Sequence, residues 1–196
     1  MKNILRPALV LFVALSFLTG VAYPLLVTGL AQSLFPAQAH GSLIQRDGKV
    51  IGSTLIGQSF TDPAHFWGRP SATGPMANNA AASGGSNLGP MNPALSDAVT
   101  ARVATLRAAD PTNTAAVPVD LVTASASGLD PHISLAAAHY QLGRVAKARQ
   151  LSTQVVQGLI DQATQRPVLG LLGEPVVNVL ELNLALDAHS GHAPLH

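Results

Sequence analysis

Four side chains with hydrolytic potential crowd into one short stretch: Ser125, Ser127, Asp130 and His132. Hydroxyl, carboxylate and imidazole are the ingredients of a nucleophile, an orienting group and a base. Such triads are usually assembled from distant segments, and the Gly-x-Ser-x-Gly elbow that exposes a nucleophile is absent. Asp130 also stands before a proline, where it reads as a helix cap. Ser83-Gly84-Gly85-Ser86-Asn87 is glycine-rich, as phosphate-cradling loops are. No lysine follows it and no strand-to-helix context surrounds it, so it reads as a tight turn. Arg144, Lys147 and Arg149 make a small basic cluster. Arg144 and Lys147 share a helix face and Arg149 points elsewhere, the pattern of a solvated surface, with a partner or phosphate contact left open. His189, His192 and His196 lie in a Gly/Pro-containing tail, which does not hold metal ligands at fixed geometry. Asp47, Asp62 and Asp97 form no paired-carboxylate pattern. With no Walker lysine and no Asp-Lys-Thr-Gly string, the chain is not expected to hydrolyse ATP alone. The sequence contains no cysteine, which excludes disulfides, cysteine metal sites and thiol catalysis.

The elements that must position these groups begin with an apolar run. Pro7 to Phe35 carries no charged side chain, and about 20 apolar residues suffice to cross a bilayer core. A cleaved signal peptide is the rival reading, with Lys2 and Arg6 as its basic region and Ala37-Gln38-Ala39 as its cleavage site. The run is nearly twice the usual length of a signal core, which favours an uncleaved anchor. Pro24 inside it removes one backbone donor, and a kink there is tolerable where Ser, water or a neighbouring helix satisfies the freed carbonyl. Lys2 and Arg6 precede the span, and the next basic residues are Arg46 and Lys49. The N-terminus is therefore expected in the cytoplasm and the rest outside. Ser16 and Gly20 form a small-xxx-small pair that lets another helix approach.

Beyond the anchor, Asp47-Gly48 between Ser42–Gln45 and Lys49–Ile51 predicts a hairpin. Phe60–Pro93 is rich in Gly, Pro, Asn and Ser and reads as a long ordered loop, a kind that is often functional. Asn92-Pro93 opens a helix to about Ala109, with Leu95, Val99, Arg102, Val103 and Leu106 on its inner face. Val119–Val122 reads as a short strand. Asp130-Pro131 predicts a helix to about Arg149, weakened by Gly143, and Ser152 caps another through about Thr164. Val176–Asp187 alternates like a strand yet is built from helix formers, so both states stay open. The expected fold is α+β: a single N-terminal transmembrane helix followed by one compact soluble domain. The expected organisation is a cytoplasmic N-terminus (1–6), a transmembrane helix (7–35), an extracytoplasmic domain (36–188) and a flexible tail (189–196).

Charged residues make up 11% of the chain, less than half of the roughly 25% usual in soluble proteins. The net charge is +1, so no strong field recruits nucleic acid. A single tryptophan argues against a base-stacking surface.

Specific strings go further. Gly52–Gln58 (GSTLIGQ), Phe66–Thr73 (FWGRPSAT), Ser83–Pro90 (SGGSNLGP), Leu121–Ser134 (LVTASASGLDPHIS), Arg144–Arg149 (RVAKAR) and Leu172–Asp187 (LGEPVVNVLELNLALD) resemble the C subunit family of the Kdp potassium-transporting ATPase. The anchor shares in the resemblance through Arg6-Pro7-Ala8 and Tyr23-Pro24-Leu25. It implies an accessory, non-catalytic subunit of a bacterial inner-membrane complex, in contact with membrane lipid. The partners it implies are a potassium-pathway subunit, a P-type ATPase that forms the aspartyl phosphate, and a small single-helix subunit. The family's C subunit is needed for assembly and is described as a catalytic chaperone that raises ATP affinity, so ATP is implied through the complex. A nucleotide role has been linked in the family to a Gln in a Leu-Ser-x-x-Gln-like stretch. Here Leu151-Ser152-Thr153-Gln154 has Gln154 one place early. ATP is cytoplasmic, whereas the flanking charges put this domain outside, so any effect on ATP affinity is expected to be allosteric. The expected partner contacts are Ser16, Gly20 and Pro24 in the anchor and Arg69 and Asn87 in the domain. A cytoplasmic nucleotide chaperone and an independent anchored envelope hydrolase are the alternative readings.

Overall fold

A computed structural model describes residues 2–167, 170 and 172–190. The chain divides into two compact units, the first ending at Leu43 and the second starting at Ile44.

The first unit is almost entirely helical. Helix α1 (Lys2–Phe17) passes through a five-residue wide turn, Leu18–Ala22, into α2 (Tyr23–Leu34), and a short α3 (Pro36–Ala39) follows. Pro24 explains the wide turn. It has no N–H for the carbonyl of Gly20, and in a regular helix its ring would press against that carbonyl. The chain widens instead, so that the Tyr23 N–H reaches back to the Leu18 carbonyl, the i to i−5 bond of a π turn. The hydroxyls of Thr19 and Ser33 donate to the carbonyls of Leu15 and Gly29, each at 2.7 Å. Ile4–Leu34 is long and apolar enough to cross a membrane, with mean hydropathy 2.2 over its most apolar window. Phe12 and Leu25 are 69% and 68% exposed. Such a surface is stable only against lipid or other helices.

The predicted hairpin follows, β1 (Leu43–Arg46) and β2 (Lys49–Ser53), all but its first residue in the second unit. Asp47 and Gly48 both have positive φ, 51° and 75°, as the tight turn that matches strand twist requires. Residues 54 to 92 contain only one short 3-10 turn, Ala80–Ala82, before α4 (Pro93–Ala109). Asn92 caps α4, its side chain accepting from the Ala94 N–H at 3.0 Å. Leu106 is buried and Leu95, Val99, Arg102 and Val103 are half-buried, as their spacing predicts.

Two expectations fail next. Val119–Val122 is not a strand: Val119–Leu121 is a 3-10 turn following Pro118. Nor does a helix start at Asp130. The chain first forms β3 (His132–Ser134), and α5 (Leu135–Arg149) begins only after Ser134, whose hydroxyl accepts from the Ala137 N–H. Asp130 accepts from the His132 N–H at 3.0 Å, capping a turn rather than a helix. Gly143 does not interrupt α5. That helix ends on Gln150 in the left-handed region, φ 56°, with the Leu151 N–H bonded to the Ala146 carbonyl, a Schellman closure. Helix α6 (Thr153–Ala163) is capped by Ser152 as predicted and runs into β4 (Thr164–Gln165).

The ambiguous C-terminal run resolves into both states: β5 (Val176–Asn178) continues into α7 (Val179–Ser190). The sheet order is β3-β5-β4, antiparallel throughout, with Ile133 opposite Val177. This pair lies at the bottom of a core filled by Phe66, Ala137, Val145, Val156, Ile160, Leu182 and Leu186, all fully buried. At roughly 1.5–3 kcal/mol for each large apolar side chain, this cluster is the main stabilising term. The architecture is α+β, as expected. His192 and His196 lie outside the described residues, while His189 sits in the last turn of α7.

Candidate functional site

The stretch from Phe60 to Pro93 has almost no regular structure, so its backbone polar groups need partners from elsewhere. In its first half those partners are side chains of α5 and α7. Asn183 accepts from the Phe66 N–H at 2.8 Å and donates to the Phe66 carbonyl at 3.0 Å. Gln141 does the same for Trp67, at 2.8 and 3.0 Å. Each amide gives one loop residue the pair of bonds that a strand neighbour would supply. Arg144 donates to the Pro63 carbonyl and, at 2.7 Å, to Gln141 Oε1, and its guanidinium lies 4.5 Å from the Trp67 ring centre. Arg149 donates to the Ala64 carbonyl at 2.6 Å and to Asp187 Oδ1 at 2.7 Å. His65 Nε2 approaches the same carboxylate oxygen at 3.2 Å, and its ring stacks on Phe60.

This arrangement corrects the solvated-surface reading of the basic cluster. Arg144 and Arg149 are 5% and 4% exposed, and only Lys147 faces solvent. Burial pushes the Arg144 guanidinium down to about 10, opposed by the charges of Asp110 and Asp62. It therefore stays cationic at neutral pH, held by the stacked indole and two acceptors.

The second half of the loop is fastened differently. Arg69 pairs with Asp130 at 2.9 Å, and the His132 ring lies 3.4 Å from the same carboxylate. The hydrogen bond from His132, aided by Arg69, lowers the Asp130 carboxyl below its ordinary value despite partial burial. Ser71 Oγ donates to the Gly128 carbonyl at 2.7 Å and accepts from the Asn78 N–H at 2.9 Å. Ser83 and Gly84 both bond to the Ser127 carbonyl. A Cβ on Gly85 would come within 2.9 Å of the Ala126 carbonyl oxygen. The glycine-rich string is thus a turn docked against residues 126–128, and Gly85 is there because backbone meets backbone. Beyond these ties the loop is exposed, with Met76 at 65% and Met91 at 92%.

The Ser/Asp/His grouping does not assemble a triad. Ser125 is buried, Ser127 Oγ accepts from the Leu129 N–H, and Asp130 is occupied by Arg69 and His132. Among the described residues no cluster of three or more His, Asp or Glu could hold a metal ion. An open groove of about 450 Å³ runs between α5 and α6, lined by Leu142, Thr153, Gln154, Gln157, Gly158 and Asp161. Its lining carries a carboxylate and no cation, a poor match for a polyphosphate.

The family model of the K+-transporting ATPase c chain, KdpC, matches residues 5–188, across both units. The chain belongs to the KdpC family. It is 74% identical over 188 residues to the potassium-transporting ATPase KdpC subunit of Polaromonas naphthalenivorans, covering 96% of each chain. It is 68% identical to the same subunit of Variovorax paradoxus, covering 96% of this chain and 97% of that one. With that of Methylibium petroleiphilum the identity is 67%, over 95% and 98%. In this chain, Ser16, Gly20 and Pro24 lie exposed on the apolar helix, Ser16 before the wide turn, Gly20 within it and Pro24 after it. Arg69 is half-buried against Asp130, and Asn87 is exposed with φ 52°. Gln154 is exposed in the first turn of α6. Gln141, Asn183 and Asp187 were not singled out from sequence. Their signal was available: uncharged amides and an acid recur at helical spacing among apolar residues, opposite a loop that cannot satisfy itself.

Proposed function

We propose that the chain is the non-catalytic C subunit of a Kdp-type potassium-transporting ATPase, spanning the bacterial inner membrane once with its N-terminus in the cytoplasm. The observation that carries this reading is the family match from residue 5 to 188, which includes anchor and domain alike. The orientation rests on Lys2 and Arg6 before the span, with no Lys or Arg after it until Arg46. The anchor packs against the potassium-pathway subunit along a surface containing Ser16, Gly20 and Pro24. The outer domain covers the entrance of that subunit with the loop 60–93, where Arg69 and Asn87 lie at or beside the contact. The P-type ATPase subunit performs the phosphoryl chemistry, and a small single-helix subunit accompanies the assembly. Any effect on ATP affinity passes through a shared conformational equilibrium rather than through Gln154 touching nucleotide.

The test is affinity purification of the tagged chain from detergent-solubilised membranes of potassium-starved cells, with mass spectrometry and an ATPase assay. Co-purification of a P-type ATPase and a multi-span subunit, with potassium-stimulated hydrolysis, is expected. Recovery of this chain alone while those subunits are expressed would overturn the reading. For orientation, Val119→Cys, at a position 70% exposed and outside the loop, should react in this cysteine-free chain with a membrane-impermeant maleimide in spheroplasts. Reaction only after permeabilisation would place the domain on the cytoplasmic side.

A further inference from the structure

The wide turn in the apolar helix leaves backbone acceptors without backbone donors. In a regular helix the Thr19 carbonyl would take the Tyr23 N–H, but that N–H goes to Leu18. One residue further on stands Pro24, which has no N–H to give. The carbonyls of Thr19, Gly20 and Val21 therefore share one remaining helical donor, the Leu25 N–H. Leu25 lies in regular α2, where helical spacing pairs it with Val21. Thr19 and Gly20 are left over. The Thr19 hydroxyl does not serve them, because it donates to the Leu15 carbonyl at 2.7 Å.

Depth makes these two acceptors costly. Thr19 is the middle residue of the span Ile4–Leu34, so about 15 Å of hydrocarbon separates it from water on either side. A carbonyl without a partner is heavily penalised there, and lipid tails have no donor to offer. Both residues are exposed. A Cβ on Gly20 would meet nothing within 4 Å, so another helix can come close enough to reach the backbone itself.

We propose that the Thr19 and Gly20 carbonyls form a hydrogen-bond socket for a neighbouring transmembrane helix, which inserts a neutral donor side chain, a hydroxyl or a primary amide. The inference rests on the reading of the chain as a subunit of a multi-span assembly, and it names the chemistry by which the anchor is recognised. Depth selects the occupant. Water and headgroups lie too far away, and a charged donor would have to be buried in hydrocarbon. The anchor then docks through its backbone as well as its apolar side chains, which fixes its level against the neighbour.

The test uses the full-length chain in lipid bilayers, alone and assembled with its unlabelled co-purifying subunits. The sequence holds one Gly-Val bond, Gly20-Val21, so carbonyl-13C glycine with 15N valine isolates the Gly20 carbonyl in solid-state NMR. The expected result is a downfield shift of that resonance on assembly, the mark of a carbonyl gaining a hydrogen bond. Pro24→Ala restores the missing N–H. Its Gly20 resonance should be downfield already in the chain alone and unmoved by assembly. Recovery of partner subunits with Pro24→Ala should fall several-fold in detergent, while thermal melting of the domain stays unchanged. A wild-type resonance that does not move, in a preparation that contains the partner subunits, would overturn the proposal and leave the subunit reading intact. So would a resonance already downfield in the wild-type chain alone. Dilution with lipid would reverse it if a second copy of this chain supplied the donor, and would not if water did. A wild-type chain that retains no partner subunit would overturn the subunit reading, and the socket with it.

Discussion

The two halves of the long loop are equally poor in regular structure but are held by opposite means. Residues 63–67 are gripped by buried side chains reaching out from α5 and α7, and Phe66 is driven into the core. Residues 71–92 are tied by hydroxyls and backbone to one another and to the turn at 126–128, with large apolar side chains left in the open. The first half belongs to the folding of the domain. The second is a shaped surface with little stake in stability, which is what a contact region requires.

Substitutions separate these roles. The largest effect should come from Arg149→Met, which strands the Asp187 carboxylate, 1% exposed, in the core without its cation. Breaking such a pair costs about 3–5 kcal/mol. Thermal melting of the detergent-solubilised chain should show it, and Arg149→Met combined with Asp187→Leu should recover part of the loss. Asn183→Leu comes next, at about 2–4 kcal/mol, because it leaves both backbone groups of Phe66 unpaired. Full stability of Asn183→Leu would mean that the grip on Phe66 is not what holds the first half. Ser71→Ala should cost only about 1 kcal/mol while accelerating amide exchange in residues 72–79 more than around Phe66.

A smaller effect is pH-dependent. Asp130 titrates below its ordinary value of 3.8 in the folded chain, so its ion pair stabilises fully above that pH. This contribution is lost as pH falls through the lowered folded value. The melting difference between the wild type and Asp130→Asn should therefore be constant near neutrality and shrink below about pH 4. Smallest of all, Met76→Ser and Met91→Ser should change stability by less than about 0.5 kcal/mol yet reduce recovery of partner subunits in pull-down. A large stability loss in either would erase the distinction between the halves.

The same contrast explains what was legible in the sequence. The hairpin, α4 and α6 announce themselves through Asp47-Gly48, Asn92-Pro93 and Ser152, because turns and caps are local chemistry. Val119–Leu121 misleads because β-branched residues suggest a strand where Pro118 sets up a turn. Asp130-Pro131 carries a cap signature that the sheet overrides, β3 pairing with β5 before α5 can start. Arg144 and Arg149 look like surface residues because nothing local reveals that a loop from residues 63–67 lies across them. Asn87, exposed, and Arg69, half-buried, are legible only through the family strings, since loop positions carry no periodic signal of their own.

The wide turn at Leu18–Ala22 has a consequence for how the anchor meets its surroundings. One extra residue in a helical turn advances every later side chain by roughly 100° around the axis. A straight neighbour that follows one stripe of α1 therefore arrives at a different stripe of α2. The anchor offers two short seams set at an angle, which a multi-span neighbour can follow only with helices that meet it at different depths.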